Sequence, residues 1–238
     1  MTSWCNADAA VLKQVAPDVM EAPRAFLWNG IDVGGRMVVV KTEEGLVVHS
    51  PVALDEETRE AIDALGAPVA IVVAPNFEHL KFTGQWQDAY PTARVVGPPG
   101  VTERLPDVRV DDELAAPPPP YWPRELQYAV LDDVEVNPLT NRAFFNEIVL
   151  VHAPSRTLIT ADLFWNYPDG LRWKEALWKF GMDRLYRPLY NNLMVDGDRR
   201  TALNSKVARL DFDRIIPCHG TIVETGGKDV LLRHLNIR

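Results

Sequence analysis

Three short apolar runs in this 238-residue chain each end in a residue able to bind a metal ion or move a proton. Val69-Ala-Ile-Val-Val73 leads through Ala74-Pro75 to Asn76, Glu78 and His79. Thr157-Leu-Ile-Thr-Ala161 leads to Asp162, and Arg214-Ile-Ile-Pro-Cys218 to His219-Gly220. Side chains at the ends of separate strands can converge on one point, which is how a rigid scaffold builds a site. Carboxylate oxygen and imidazole nitrogen suit zinc, iron or manganese, so Glu78, His79, Asp162 and His219 are candidate metal ligands. The matching chemistry is Lewis-acid activation of water against a carbonyl or phosphoryl centre. Asp162 and His79 are also candidates for metal-free acid/base catalysis.

Each of these residues also has a plainer use. Asp162 suits the cap of a turn, Glu78 the acidic first turn of a helix, and Asn76 its N-cap. Asn76 and Lys81 are nonetheless the polar candidates for substrate contact, Lys81 for an anionic group. Trp165, Tyr167, Trp173, Trp178 and Tyr186 concentrate aromatic surface after Asp162, and Trp165 and Trp173 are candidates for an apolar lid over the site. Cys218 and His219 are consecutive on an extended run and point to opposite faces, which argues against a cysteine–histidine dyad.

The elements that position these residues alternate in type along the chain. Ala25–Trp28, Arg36–Lys41 and Gly45–His49 read as an opening antiparallel meander broken by glycine turns. Asp55 is a candidate N-cap for a helix that ends before Gly66. A helix is expected from Phe77 to Tyr90, then a strand at Ala93–Val96. The proline-rich 115–123 stretch reads as a stiff surface connection. Strands follow at Leu126–Leu131, Val134–Val136, Asn146–His152 and Thr157–Ala161. Helical spacing dominates Trp173–Tyr190, which Pro188 interrupts, and Asp198–Leu210. A strand at Arg214–Cys218 and a helix at about 228–235 close the chain. This order suggests an α+β protein with two mixed sheets packed face to face and helices outside.

With 47% hydrophobic residues the chain can bury a sizeable core. Its net charge of −8 is spread without a basic block, which gives no support for nucleic-acid or membrane partners and leaves a small molecule as the expected one. No apolar run approaches the roughly 20 residues of a spanning helix, and no secretion signal opens the chain. A cytoplasmic setting is expected, or an organellar one had a transit peptide been removed. Two cysteines make neither a disulfide framework nor a zinc knuckle.

Ala74-Pro-Asn-Phe-Glu-His79, the run from Phe145 to Asp162, and Ile216-Pro-Cys-His-Gly220 resemble a poorly characterised branch of the metallo-β-lactamase fold superfamily. The resemblance implies a four-layer αββα sandwich over 1–238 as one domain, with a helical insertion at about 171–210. It also implies a metal centre between the sheet ends. Asp162-Leu-Phe164 and His219-Gly220 match the later motifs. Aligning Thr83-Gly84 with the glycine pair after the family's H-x-H-x-D-H motif puts Asn76, Glu78, Leu80 and Lys81 at its ligand positions. Only Glu78 can ligate there, and near Ala143 the sequence offers Asn141 and Arg142 where a histidine is expected. The resemblance therefore implies a metal-dependent hydrolase of an ester, thioester or phosphoester with a reduced or rebuilt zinc, iron or manganese site. The alternative is a metal-free, inactive member serving as a small-molecule or protein-binding module.

Overall fold

The computed structural model describes residues 3–136, 139, 143–195 and 197–237. The strands β1 (Lys13–Ala16) and β2 (Val19–Arg24) precede a small hairpin, β3 (Leu27–Trp28) and β4 (Ile31–Asp32). Asn29 and Gly30 turn that hairpin with φ of 48° and 78°, the positive pair that a tight two-residue turn requires. Next come β5 (Gly35–Thr42), β6 (Gly45–His49), α1 (Glu56–Asp63), β7 (Val69–Val73), α2 (Thr83–Ala89), β8 (Arg94–Gly97), α3 (Val101–Arg104) and β9 (Asp112–Glu113).

The second half runs through β10 (Leu126–Val136), β11 (Ala143–His152) and β12 (Thr157–Asn166) into α4 (Trp173–Gly181). The helix then widens into π turns at Met182–Tyr186 and Tyr190–Met194, on either side of α5 (Arg187–Leu189). Pro188 cannot donate an intrahelical bond, and the wider turns carry the chain past it without ending the helix. After α6 (Gly197–Ala208), β13 (Arg214–Gly220) and α7 (Gly227–His234) close the chain.

One sheet has the order β1-β2-β5-β6-β7-β8-β9, antiparallel up to β6 and parallel from there to β9. The other has the order β10-β11-β12-β13, with only the last pair parallel. The facing sides alternate with the outer sides residue by residue, as the period-two pleat requires. Val38, Val40, Val47, Ile71 and Val73 pack in one cluster with Ile148, Leu150, Ile159 and Ile216 from the opposite sheet. Val39, Val48 and Val72 point the other way, towards Ile62 of α1 and Trp86 of α2. Beyond the second sheet, Val149, Val151 and Leu158 pack with Leu203 and Val207 of α6 and Leu231 of α7. These three clusters define the four-layer αββα arrangement expected from the sequence.

Asp55 caps α1, accepting from the Thr58 amide at 2.9 Å. The helix expected from Phe77 starts only at Thr83. Asn76 Oδ1 accepts from the amides of Glu78 and His79, both at 3.0 Å, and folds 76–79 into a turn instead. Asp162 does not cap a turn after its strand. It lies inside β12, in an irregular stretch where the pairing with β13 shifts register between Thr160 and Trp165. Asn141 and Arg142 lie outside the described residues.

Candidate functional site

The turn after β7, the irregular middle of β12 and the end of β13 bring His79, Asp162 and His219 together, with one ligand atom from each lying within 4.8 Å of the others. Asp162 sits between the two imidazoles: Oδ2 is 3.3 Å from His79 Nε2, and Oδ1 is 3.5 Å from His219 Nε2. All three side chains are largely buried, with exposures of 14%, 22% and 14%.

The other face of each ring is anchored. His79 Nδ1 is 2.8 Å from Ser50 Oγ, and His219 Nδ1 donates to the Gly34 carbonyl at 2.8 Å. A carbonyl only accepts, so His219 carries a proton on Nδ1, and its Nε2 is the ring atom directed at the Asp162 carboxylate. Rings held through Nδ1 with Nε2 directed at a shared carboxylate are the usual preparation of histidine as a metal ligand.

Electrostatics in the site are strongly coupled. Burial lowers the His79 pKa, but the Asp162 carboxylate overcomes it and holds the imidazolium well above its ordinary value. Burial likewise raises Asp162, while His79 and His219 carry it well below the usual carboxylate range. Burial pushes the Cys218 thiol up, and His79 and His49 beside it bring it down to about 6. Cys218 is buried and donates to the Arg36 carbonyl at 3.3 Å.

Beneath Asp162 lies a polar layer. Asn76 is fully buried and donates from Nδ2 to Asp162 Oδ2 at 2.7 Å. Glu147, also fully buried, accepts from the amides of Ala161, Asp162 and Leu163 at 2.8–2.9 Å, and so fixes the irregular segment that carries Asp162. Burial and the Asp162 charge raise Glu147 to about 7, against those amides. Sequence reasoning passed over Glu147. Its signal is a carboxylate at the head of the apolar run Ile148–Val151, where a solvent-facing position is otherwise the simpler assignment.

A second support comes from Arg36. Its Nε is 2.5 Å from the Glu21 carboxylate, and its guanidinium donates to the carbonyls of Pro217 and, at 2.9 Å, Gly220. This clamps the strand bearing His219. Gly220 itself has φ of +102°, and a Cβ there would stand 2.3 Å from the Asn166 carbonyl oxygen, so only glycine fits.

The triad opens into a cavity of about 410 Å³. Its walls are mainly aromatic, with Phe26, Trp28, Phe82, Trp165 and Trp178 among them, and Lys81 and Glu78 add charge. Trp178 Nε1 donates to Tyr167 Oη at 3.0 Å, which ties the helix over the site to the end of β12. Of the residues singled out from sequence, Lys81 and Trp165 line the cavity. Asn76 lies below it and contacts Asp162. Glu78 is exposed at the rim and stands outside the ligand cluster. Trp173 is 73% exposed and is not among the lining residues, because the helical phase turns Trp178 inward instead.

This architecture and site position define a protein of the metallo-β-lactamase fold. A metallo-β-lactamase from Pontibacter korlensis superposes with a TM-score of 0.61 at 14% identity, over 95% of this chain and 97% of that one. A metallo-β-lactamase from Hirschia baltica gives 0.62 at 11%, over 94% and 95%. The flavodiiron protein of Giardia intestinalis gives 0.64 at 13%, over 94% of this chain and 58% of that one. No curated protein matches the sequence. Within the fold the chain belongs to the family described as domain of unknown function (DUF4336), whose model matches residues 28–172.

Proposed function

We propose that the protein is a metal-dependent hydrolase with a rebuilt centre in which His79, Asp162 and His219 hold a single zinc, iron or manganese ion. The observation that carries this reading is the set of three ligand atoms within 4.8 Å, with both imidazoles anchored through Nδ1. A single-ion centre is favoured because Asn76 and Glu147, the neighbouring polar groups, are already committed to Asp162 and to backbone amides. When bound, such an ion supplies Lewis-acid polarisation of an ester, thioester or phosphoester and a nucleophile from water.

The chain's own residues do the rest. Ser50 and Gly34 orient the two rings, and Asn76 holds the Asp162 carboxylate in register with both. The aromatic walls receive an apolar part of the substrate and exclude water, and Lys81 meets a negative charge on it.

The test is elemental analysis of protein purified without a metal-binding tag, alongside Asp162→Ala. The expected result is near-stoichiometric metal in the parent, its loss in the variant with an unchanged circular dichroism spectrum, and ester hydrolysis lost with it. A folded, metal-free parent that binds no added zinc, iron or manganese would reject the reading in favour of a binding module.

A further inference from the structure

The helical run 173–194 presents an outer face unlike the rest of the surface. Trp173, Leu177, Phe180, Leu185, Leu189 and Leu193 are exposed by 73%, 62%, 56%, 68%, 44% and 51%. The spacing places them along one side of the helix. Beside them, at the tip of the β3–β4 hairpin, Leu27 and Trp28 are exposed by 64% and 48%. A shallow apolar groove bounded by Ile31, Leu177, Leu185 and Leu189 joins hairpin and helix into one platform. Contiguous apolar surface of this kind marks a contact with something else.

The charges on the run identify what. Arg172, Lys174 and Arg184 are exposed on it, while both of its acids are withdrawn. Glu175 is half-buried, and Asp183 turns inward between Lys179, at 2.9 Å, and Arg187. Asp169, exposed on the loop leading in, reaches Lys179 at 3.7 Å. The outer face therefore offers large apolar side chains bordered by cations, within a chain of net charge −8. An apolar layer under a negatively charged surface is its complement, which describes a bilayer containing anionic phospholipid. A symmetric contact with a second copy would instead set the same three cations against each other.

We propose that the 173–194 helix and the β3–β4 hairpin dock the protein in the plane of an anionic membrane surface. The helix lies in the interface with its leucines and aromatics in the acyl boundary and Arg172, Lys174 and Arg184 at the phosphates. Among the described residues no helix is long and apolar enough to cross a membrane, so the contact is peripheral. The expectation of no membrane partner rested on a net charge of −8 spread along the sequence without a basic block, and such a reading does not register a surplus that burial of the neighbouring acids leaves on one face. Trp178, Met182 and Tyr186 line both the groove and the cavity of the candidate site, so docking places the mouth of that cavity at the lipid surface. The proposal is independent of whether a metal is bound.

The test is co-sedimentation of the full chain with vesicles of phosphatidylcholine alone and of equimolar phosphatidylcholine and phosphatidylglycerol. Binding is expected to the second kind only, and to weaken with salt. Replacing Arg172, Lys174 and Arg184 together by glutamine should lower the partition coefficient by roughly 100-fold, since each cation near such a surface contributes about a factor of 5. Trp173→Ser with Leu177→Ser and Phe180→Ser should abolish binding while leaving the thermal midpoint in place, these side chains being exposed. No binding of the parent to the anionic vesicles, or equal binding by both triple variants, would overturn the proposal. So would light scattering that finds a dimer in the parent and a monomer in the serine variant, because the face would then belong to a second copy.

Discussion

His234 ties stability to pH through a group that is not one of the candidate ligands. It is 6% exposed on α7, with its ring 4.8 Å from that of Phe164 and 4.4 Å from that of Trp165, and its Nε2 has no partner. Burial, assisted by the charge of Arg187 and opposed by Asp183, lowers its pKa from 6.5 to about 3. The unfolded chain therefore binds a proton between pH 6.5 and 3 that the folded chain refuses. This contribution to stability is complete above about pH 6.5 and is lost as pH falls towards 3. At about 1.4 kcal/mol per unit, protonation of the unfolded state should cost roughly 2 kcal/mol at pH 5 relative to pH 8. His234→Phe keeps a ring in the aromatic cluster and removes the titration. Urea unfolding of both proteins at pH 8 and pH 5 isolates the effect, since carboxylate protonation is common to the two. The stability of the parent relative to the variant should fall by about 2 kcal/mol on acidification. A difference that stays constant within about 0.5 kcal/mol, near the usual limit of additivity, would show that His234 does not titrate differently in the folded and unfolded chains.

Asn76→Ala should weaken metal binding by about 10–100-fold, the usual effect of losing a group that orients a ligand, and its fold should persist. Competition against a chromogenic chelator measures this, and unchanged affinity would show that Asp162 is held without the Asn76 amide. Trp165, 4% exposed, and Trp173, 73% exposed, should separate cleanly in thermal and urea unfolding. Trp165→Ala is expected to cost about 3–5 kcal/mol and Trp173→Ala less than about 0.5 kcal/mol. Comparable losses would place Trp173 in a packed environment that its exposure does not indicate.

Most of the layered fold was legible because the buried strands carry their own signal. Val69–Val73, Thr157–Ala161 and Arg214–Cys218 are apolar runs, and in the structure they lie in β7, β12 and β13. The N-terminal pair β1 and β2 was not legible. Glu21 and Pro23 speak against a buried strand, yet Glu21 is neutralised by Arg36, and β1 pairs with β2 only as far as Glu21, leaving Pro23 beyond that pairing. The late start of α2 depends on the Asn76 turn, a local competition between side-chain and backbone hydrogen bonds that periodicity does not register.

The polar layer was hidden for another reason. Glu147 is accommodated by the amides of a strand 14–16 positions further along and by the Asn76 side chain, and no spacing in the sequence reports that meeting. The same holds for Ser50 and Gly34, whose contacts with His79 and His219 span 29 and 185 positions. His79 was visible in the turn that follows a strand, but its partnership with Asp162 required the two sheets to be brought face to face. For the aromatic segment, sequence gave composition without phase: five positions separate Trp173 from Trp178, more than one turn at about 3.6 residues, and the two point in different directions.

A zinc titration of chelator-stripped protein tests whether His79, Asp162 and His219 together hold a metal ion. Isothermal titration of the parent and of His79→Ala, Asp162→Ala and His219→Ala, each checked for an intact fold, gives stoichiometry and affinity together. A single ion per chain in the parent, with binding lost or severely weakened in all three variants, is the expected result. Binding of two ions, or a single ion retained at full affinity in the variants, would place the metal elsewhere and contradict the assignment.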